Sequence, residues 1–246
     1  PGFLEPLVEY LRGHPRVGIV QPKMILSRYG NALDVCGSFL TRFGFLYHYG
    51  YWKPDSEKYN QSYPAFTVKG ACLMLRRELI PAVGGYLFNE DFFCYYEETD
   101  LCHRAWLAGY EVHFVHRSVI QHLQGATSES TQSSGFALRQ FLTNQTFALL
   151  SNLSAGSLLR LMPVYFLVFF ASMCAAVLTG NRLILGAHWH ALTQALRNLG
   201  KIRAQRRSVR QIRKLSDRAL FARVMRNPRW DYFQSEGLLH RWWKQG

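Results

Sequence analysis

From Leu161 to Asn181 the chain reads LMPVYFLVFFASMCAAVLTGN, 21 residues without a formal charge. No other stretch limits the fold so much. A run near the ~20 residues that cross a bilayer as a helix has to be covered by protein or by lipid. A second uncharged stretch, LILGAHWHALTQAL, is only 14 residues long and holds two histidines. It is followed by RNLGKIRAQRRSVRQIRK, with eight basic and no acidic residues between 197 and 214. A basic helix directly after an apolar run is the pattern of a surface helix on anionic lipid. A nucleic-acid platform would interleave stacking aromatics with its Lys and Arg, and 197–214 contains no aromatic residue. An anionic membrane surface is therefore the expected partner, and nucleic acid is not.

The charge distribution supports this division. Residues 1–138 hold 12 Lys/Arg and 13 Asp/Glu, a net of −1, whereas 139–246 hold 17 Lys/Arg against Asp217, Asp231 and Glu236, a net of +14. The basic character belongs to the tail and describes the tail's partner. The reading is an α/β unit over 1–138 and a helical, basic, membrane-associated tail over 139–246. The tail has its apolar segment at 161–181 and a basic helix at 197–218. Pro163 and the short second stretch favour a monotopic or hairpin arrangement, with the basic residues on the cytoplasmic face. Five cysteines, odd in number and unclustered, suit a reducing compartment. Cys94, Cys102 and His103 lack the C-x-x-C spacing of a zinc site.

The first 138 residues alternate helix and strand patterns. FLEPLVEYLRGHP spaces its apolar residues as a helix that stops at Gly13 and Pro15, and VGIVQPKMI is a strand. Residues 27–64 have weak periodicity and read as a long irregular insertion. AFTVKGACLMLRREL reads as a strand, a Gly-Ala turn, a third strand and a helix start. EETDLCHRAWLAG is a helix with Gly109 at its C-cap, and YEVHFVH is a strand. Alternating helices and apolar strands indicate α/β.

Within NEDFFCYYEETDLCHRAW five carboxylates fall between positions 90 and 100 among Phe92, Phe93, Tyr95 and Tyr96. Rings of that kind seek burial, and burial makes neighbouring carboxylates costly unless they have a partner or a task. Glu97, Glu98 and Asp100 open a helix, where the dipole stabilises anions. Their mutual repulsion raises at least one pKa, as a general base requires. Plain N-terminal capping is the other reading of the same residues.

The stretch VGGYLFNEDFFCYYEETDLCHRAWLAGYEVHFVHRSVIQH resembles the acceptor-side segment of family 2 glycosyltransferases, whose pattern is aromatic-rich, then E-D-x-D-L-x-x-R, A-G-Y/W, a strand and a His. PGFLEPLVEYLRGHPRVGIVQPKM is similar to the segment after that family's Asp-x-Asp motif. SFLTRFGFLYHYGY, KGACLMLRREL and RRSVRQIRKLSDRAL resemble its rhamnosyltransferase-like branch. The likeness covers about 1–230. It implies the acceptor-side half of a GT-A fold, α/β in class. The implied reaction moves a sugar, with inversion, from a nucleotide-sugar to a lipid-linked or polysaccharide acceptor in cell-surface polysaccharide synthesis. By motif position the base is Glu98, where the family usually has Asp; Glu97 and Asp100 are supporting carboxylates. Gly70 and Ala71 match a small pair lining the acceptor pocket, which a tight turn would also explain. Arg104 is assigned beside them as substrate-binding, with an i,i+4 pair to Asp100. His122 matches a metal-ligating histidine for Mn²⁺ or Mg²⁺, with a structural histidine as the alternative; His113 and His116 match nothing and read as structural. The nucleotide-binding half and its Asp-x-Asp motif, which would hold most of the divalent cation, are expected upstream of Pro1, leaving this chain inactive alone. The competing function is a non-catalytic membrane-interaction module, with a basic RNA-binding protein more distant.

Overall fold

The computed structural model describes residues 2–27, 30, 32–123 and 134–228. Helix α1 (Leu4–Gly13) buries Leu7 and Leu11, one turn apart, and ends before Pro15 as its spacing requires. Strand β1 (Val17–Leu26) is buried at every position, as expected of a strand covered on both faces. It runs parallel to β7 (Glu111–His122) along one edge. Its other edge is shared by β2 (Ala32–Leu33), at Ile25 and Leu26, and β6 (Met74–Leu75), at Ile19 and Val20. Beyond β7 lies β5 (Tyr63–Pro64), which completes a mixed five-stranded sheet. Pro22 would be out of place in a central strand because it donates no hydrogen bond. The register accommodates it: Pro22 faces Val115 and Lys23 faces Val119, so residues 116–118 of β7 bulge out.

Residues 27–64 are not the irregular insertion that weak periodicity suggests. They hold β2, a hairpin of β3 (Ser38–Leu40) and β4 (Leu46–His48), a 3₁₀ turn at Glu57–Tyr59, and β5. Each strand has two or three residues, too few to show a period of two. What organises them is a cluster of Leu33, Cys36, Tyr59 and Phe114 with Tyr49 and Tyr63. The strand expected at AFTV also fails to form a ladder. Ala65 N–H bonds to Val112 O at 2.8 Å on the sheet, and Phe66 N–H to Ser38 O at 2.9 Å on the hairpin. The segment bridges two sheets instead of joining one.

Short α2 (Leu79–Ala82) leads to α3 (Glu97–Leu107), which is buried from Thr99 onward. Gly109, at φ +91°, turns the chain from α3 into β7. Trp106 donates its indole N–H to Ala65 O at 3.0 Å. Helix α4 (Ser134–Asn152) runs through positions 138 and 139 and packs against α3, α6 (Arg182–Arg197) and α7 (Leu199–Ile212). Among the described residues α5 (Ala155–Leu178) is the one helix long and apolar enough to cross a membrane. One stripe of it, Leu161, Met162, Tyr165, Phe169 and Ala176, is buried, and the Tyr165 ring stacks on Phe45 of the hairpin at 4.9 Å. Its other faces expose Leu159, Leu167, Phe170, Val177 and Leu178.

The basic helix expected over 197–218 is two helices, α7 and α8 (Asp217–Val224). Between them Lys214 N–H and Leu215 N–H both bond to Leu107 O, at 2.6 and 3.1 Å. The last turn of α3 thus captures the break. Part of the basic tail also serves the fold: Arg206 donates to Leu150 O and Leu153 O at 2.7 Å, and Arg213 pairs with Asp217 at 2.6 Å.

Asp100 and Arg104 are paired charges that are both 0% exposed. Arg104 Nε bonds Asp100 Oδ2 at 2.8 Å, while its Nη atoms donate to Val83 O, Tyr86 O and Leu87 O. Asp100 Oδ1 accepts from Asn152 at 2.8 Å and Gln205 at 3.2 Å. Removing one partner of such a pair strands a buried charge, at a typical cost of about 3–5 kcal/mol. Chemical denaturation of Arg104→Met should show a loss of that size. Lys201→Met, which breaks an exposed pair with Asp91, should lose less than about 1 kcal/mol. Equal losses would show that the buried pair does not anchor the fold.

Candidate active site

The segment before α3 is bent into an uncommon shape. Tyr95 and Tyr96 have φ of +65° and +76°, two consecutive left-handed residues with no glycine between them. Such conformations cost energy and persist only where the surroundings fix them. Tyr96, the N-cap, provides no side-chain cap. Glu97 and Glu98 instead receive backbone N–H groups at the positive end of the helix.

Burial prevails over that help. Burial and then the charge of Glu97 push Glu98 up to about 7, against the pull of its own N–H, the Thr99 hydroxyl and Lys69. Thr99 Oγ1 donates to Glu98 Oε1 at 3.2 Å and lies 3.2 Å from Thr67 Oγ1. Burial also raises Glu97, whose Oε2 is buried and has no protein hydrogen bond. A carboxylate poised near neutrality and backed by a second one can accept a proton at physiological pH.

Beside Glu98 lies the turn 69–72. A Cβ built on Gly70 would meet Glu98 Cβ and Oε2 at 3.6 Å, so the two residues are in contact across an open surface. Gly70 and Ala71 are both exposed. Lys69, just before them, extends Nζ to Asp34 Oδ1 at 2.6 Å, and its own N–H bonds Gln21 Oε1 at 2.8 Å. The other oxygen of Asp34, which is fully buried, takes His122 Nδ1 at 2.5 Å. Lys69 therefore links the Glu98 side of the site to His122, at the end of β7. His48 is held near this group by Ser38 Oγ at 2.7 Å, and burial followed by Lys69 pushes it down to about 4.

Glu97, Glu98, Gly70 and Ala71 are thus brought together, and His122 joins them through Asp34 and Lys69. Arg104 and Asp100 are not part of that surface. The guanidinium assigned to substrate is wholly buried and its bonds go to Asp100 and three backbone carbonyls, so it has no face to offer a ligand. Asp100 supports the fold rather than the neighbouring carboxylates. His113 bonds Tyr10 and Glu111, and His116 bonds Ser62. Lys69, Asp34 and Thr99 were missed in the sequence. Only Lys69 had a signal there, as the residue preceding the Gly-Ala turn.

With Nδ1 turned to Asp34, the Nε2 of a neutral His122 is the nitrogen left to ligate a metal, an arrangement common in metal sites. It fits as one ligand. Among the described residues no group of three or more His, Cys, Asp or Glu could hold a metal ion.

The family model for glycosyl transferase family group 2 matches residues 1–192. The chain belongs to that family. No curated protein matches this glycosyltransferase-family chain. Among solved structures it is similar to GalNAc-T7 with UDP, GalNAc and Mn2+, at 14% identity and a TM-score of 0.43. The match covers 63% of this family member and 30% of that chain, so it spans about a third of the structure it matches.

Stability against pH separates the two readings of Glu98. Its folded pKa is raised, so its contribution is fully present below the unfolded value near 4.5 and is lost as pH rises through about 7. Glu98→Gln should therefore melt higher than the unmodified protein at pH 8, with the difference shrinking as pH falls and vanishing below about 4.5. Helix capping requires the opposite, a loss at pH 8.

Proposed function

We propose that this chain forms the acceptor side of an inverting, nucleotide-sugar-dependent glycosyltransferase of GT-A type. One observation carries the reading: Glu98 is held near neutral pKa at the N-terminus of α3, against the exposed Gly70–Ala71 turn. Glu98 removes the proton from an acceptor hydroxyl as that oxygen attacks the anomeric carbon. Glu97 keeps the proton affinity of Glu98 high. Gly70, lacking a side chain, lets the acceptor sugar approach the backbone. Lys69 and Asp34 keep His122 oriented. A divalent cation, when bound, would neutralise charge on the departing diphosphate. His122 would contribute one nitrogen to it, which suits Mn²⁺ better than Mg²⁺. The quoted resemblance supports a rhamnosyltransferase-like donor preference and a lipid-linked or polysaccharide acceptor.

The exposed faces of α5, with Trp189 60% exposed on α6, favour contact with the cytoplasmic face of a membrane. Arg203, Arg207 and Arg210 on α7 are exposed and available to anionic headgroups.

Turnover is measured with a panel of UDP-, GDP- and dTDP-sugars in the active enzyme. Glu98→Gln should lower kcat by ~10²–10⁴ with a small change in KM. In the unmodified enzyme kcat should rise with pH up to about 7 and then level, because the base works deprotonated. His122→Ala should instead raise the Mn²⁺ concentration giving half-maximal rate. Normal turnover in Glu98→Gln would exclude it as the base.

For the membrane, the whole chain should co-sediment with phosphatidylglycerol vesicles more than with phosphatidylcholine vesicles. High salt should remove most of the difference, since surface charges are screened. Equal binding to both lipids would remove the basic residues from the interaction.

A further inference from the structure

We infer that Asn144 of α4 is a positioning residue that holds the Glu97–Glu98 end of α3 in place by clamping the left-handed turn before it. The inference rests on the reading of Glu98 as the base and names what sets its geometry. Three residues of α4, spaced i, i+3 and i+6, grip residues 92–96 in reverse order. The Phe141 ring meets Tyr96 edge-on at 5.4 Å, and the Phe147 ring meets Phe92 edge-on at 5.3 Å. Between them Asn144 Nδ2 donates to Cys94 O at 2.9 Å and to Tyr95 O at 2.7 Å. Side chains three apart on a helix share a side, so the grip is continuous.

The orientation of the amide follows from its partners. Two carbonyl oxygens face the same atom, so that atom must be the donor nitrogen and not Oδ1. Asn144 is 2% exposed, and both of its N–H groups are committed. The backbone it holds is the pair Tyr95 and Tyr96, whose positive φ would relax toward the extended region without an external restraint. Relaxation there turns the first residues of α3, because Tyr96 is its N-cap. Glu98 would then leave its contact with Gly70. Phe141 and Phe147 fix where the segment lies; Asn144 fixes its backbone conformation.

Asn144→Leu keeps the branched outline of the side chain and removes both donors. The readout is the titration of the Glu98 carboxyl ¹³C resonance in the whole chain, with a thermal melt to follow folding. Glu97, Lys69 and Thr99 face Glu98 and are unchanged in the variant. The midpoint should fall by about one pH unit or more, toward the ordinary glutamate range, as the carboxyl gains water. Adding Tyr95→Gly should restore much of the shift, because glycine adopts the left-handed conformation without strain and needs no clamp. A residue that merely fills space would not be rescued in this way. An unchanged midpoint in Asn144→Leu, or no recovery with Tyr95→Gly, overturns the proposal. Should Asn144→Leu not fold, Asn144→Ser keeps one donor: an intermediate midpoint supports the clamp and an unchanged one overturns it. The titration needs no turnover, so it stands apart from the kinetics of Glu98→Gln. A shifted midpoint together with normal Glu98→Gln turnover would keep the clamp and discard the base.

Discussion

Asp100 and Arg104 form the contact on which the rest is assembled. Their pair is wholly buried, and its bonds reach three other parts of the chain, residues 83–87, the end of α4 and α7. Through Arg104 the α3 helix holds the carbonyls of 83, 86 and 87. Through Asp100 it takes amides from the end of α4 and from α7. A buried ion pair adds little net stability when compared with apolar residues of the same size. What it supplies here is geometry, because any other arrangement leaves a charge without a partner.

With that anchor set, the first turn of α3 can carry unfavourable features. Two left-handed tyrosines and two largely desolvated glutamates lie within four residues. Each would relax if it were free to do so. The packing of α4 over 92–96 prevents this, and the result is a carboxyl held near neutral pKa at an open surface. Strain and desolvation at one place, supported from the well-packed side, are the features behind the proposal of Glu98 as a proton acceptor.

The tail has two roles. Gln205 bonds Asp100 of the α/β unit, and Arg206 and Arg213 tie α7 to the end of α4 and to α8, whereas Arg203, Arg207 and Arg210 face solvent. Helix α5 divides in the same manner, with a buried stripe under the hairpin and apolar faces left open. Composition could not separate these uses, since both draw on the same residue types.

Sequence alone determined the elements that are long enough to show a period. Those are α1, β1, α3, β7 and the apolar helix, together with the family to which their motifs point. It also placed Glu97, Glu98 and Asp100 on one helical turn. It missed the short strands of 27–64, which are fixed by ring packing between residues far apart in the chain. It also could not say which way each carboxylate faces. At about 100° per residue, Glu98 and Asp100 project from nearly opposite sides of the helix. Only the tertiary structure, by adding Asn152 and Gln205 to the Arg104 side and the Gly70 turn to the other, made Asp100 an anchor and left Glu98 half-buried beside an exposed turn. The physical reason is that a carboxylate's role follows from the partners and water around it, and those come from distant parts of the chain.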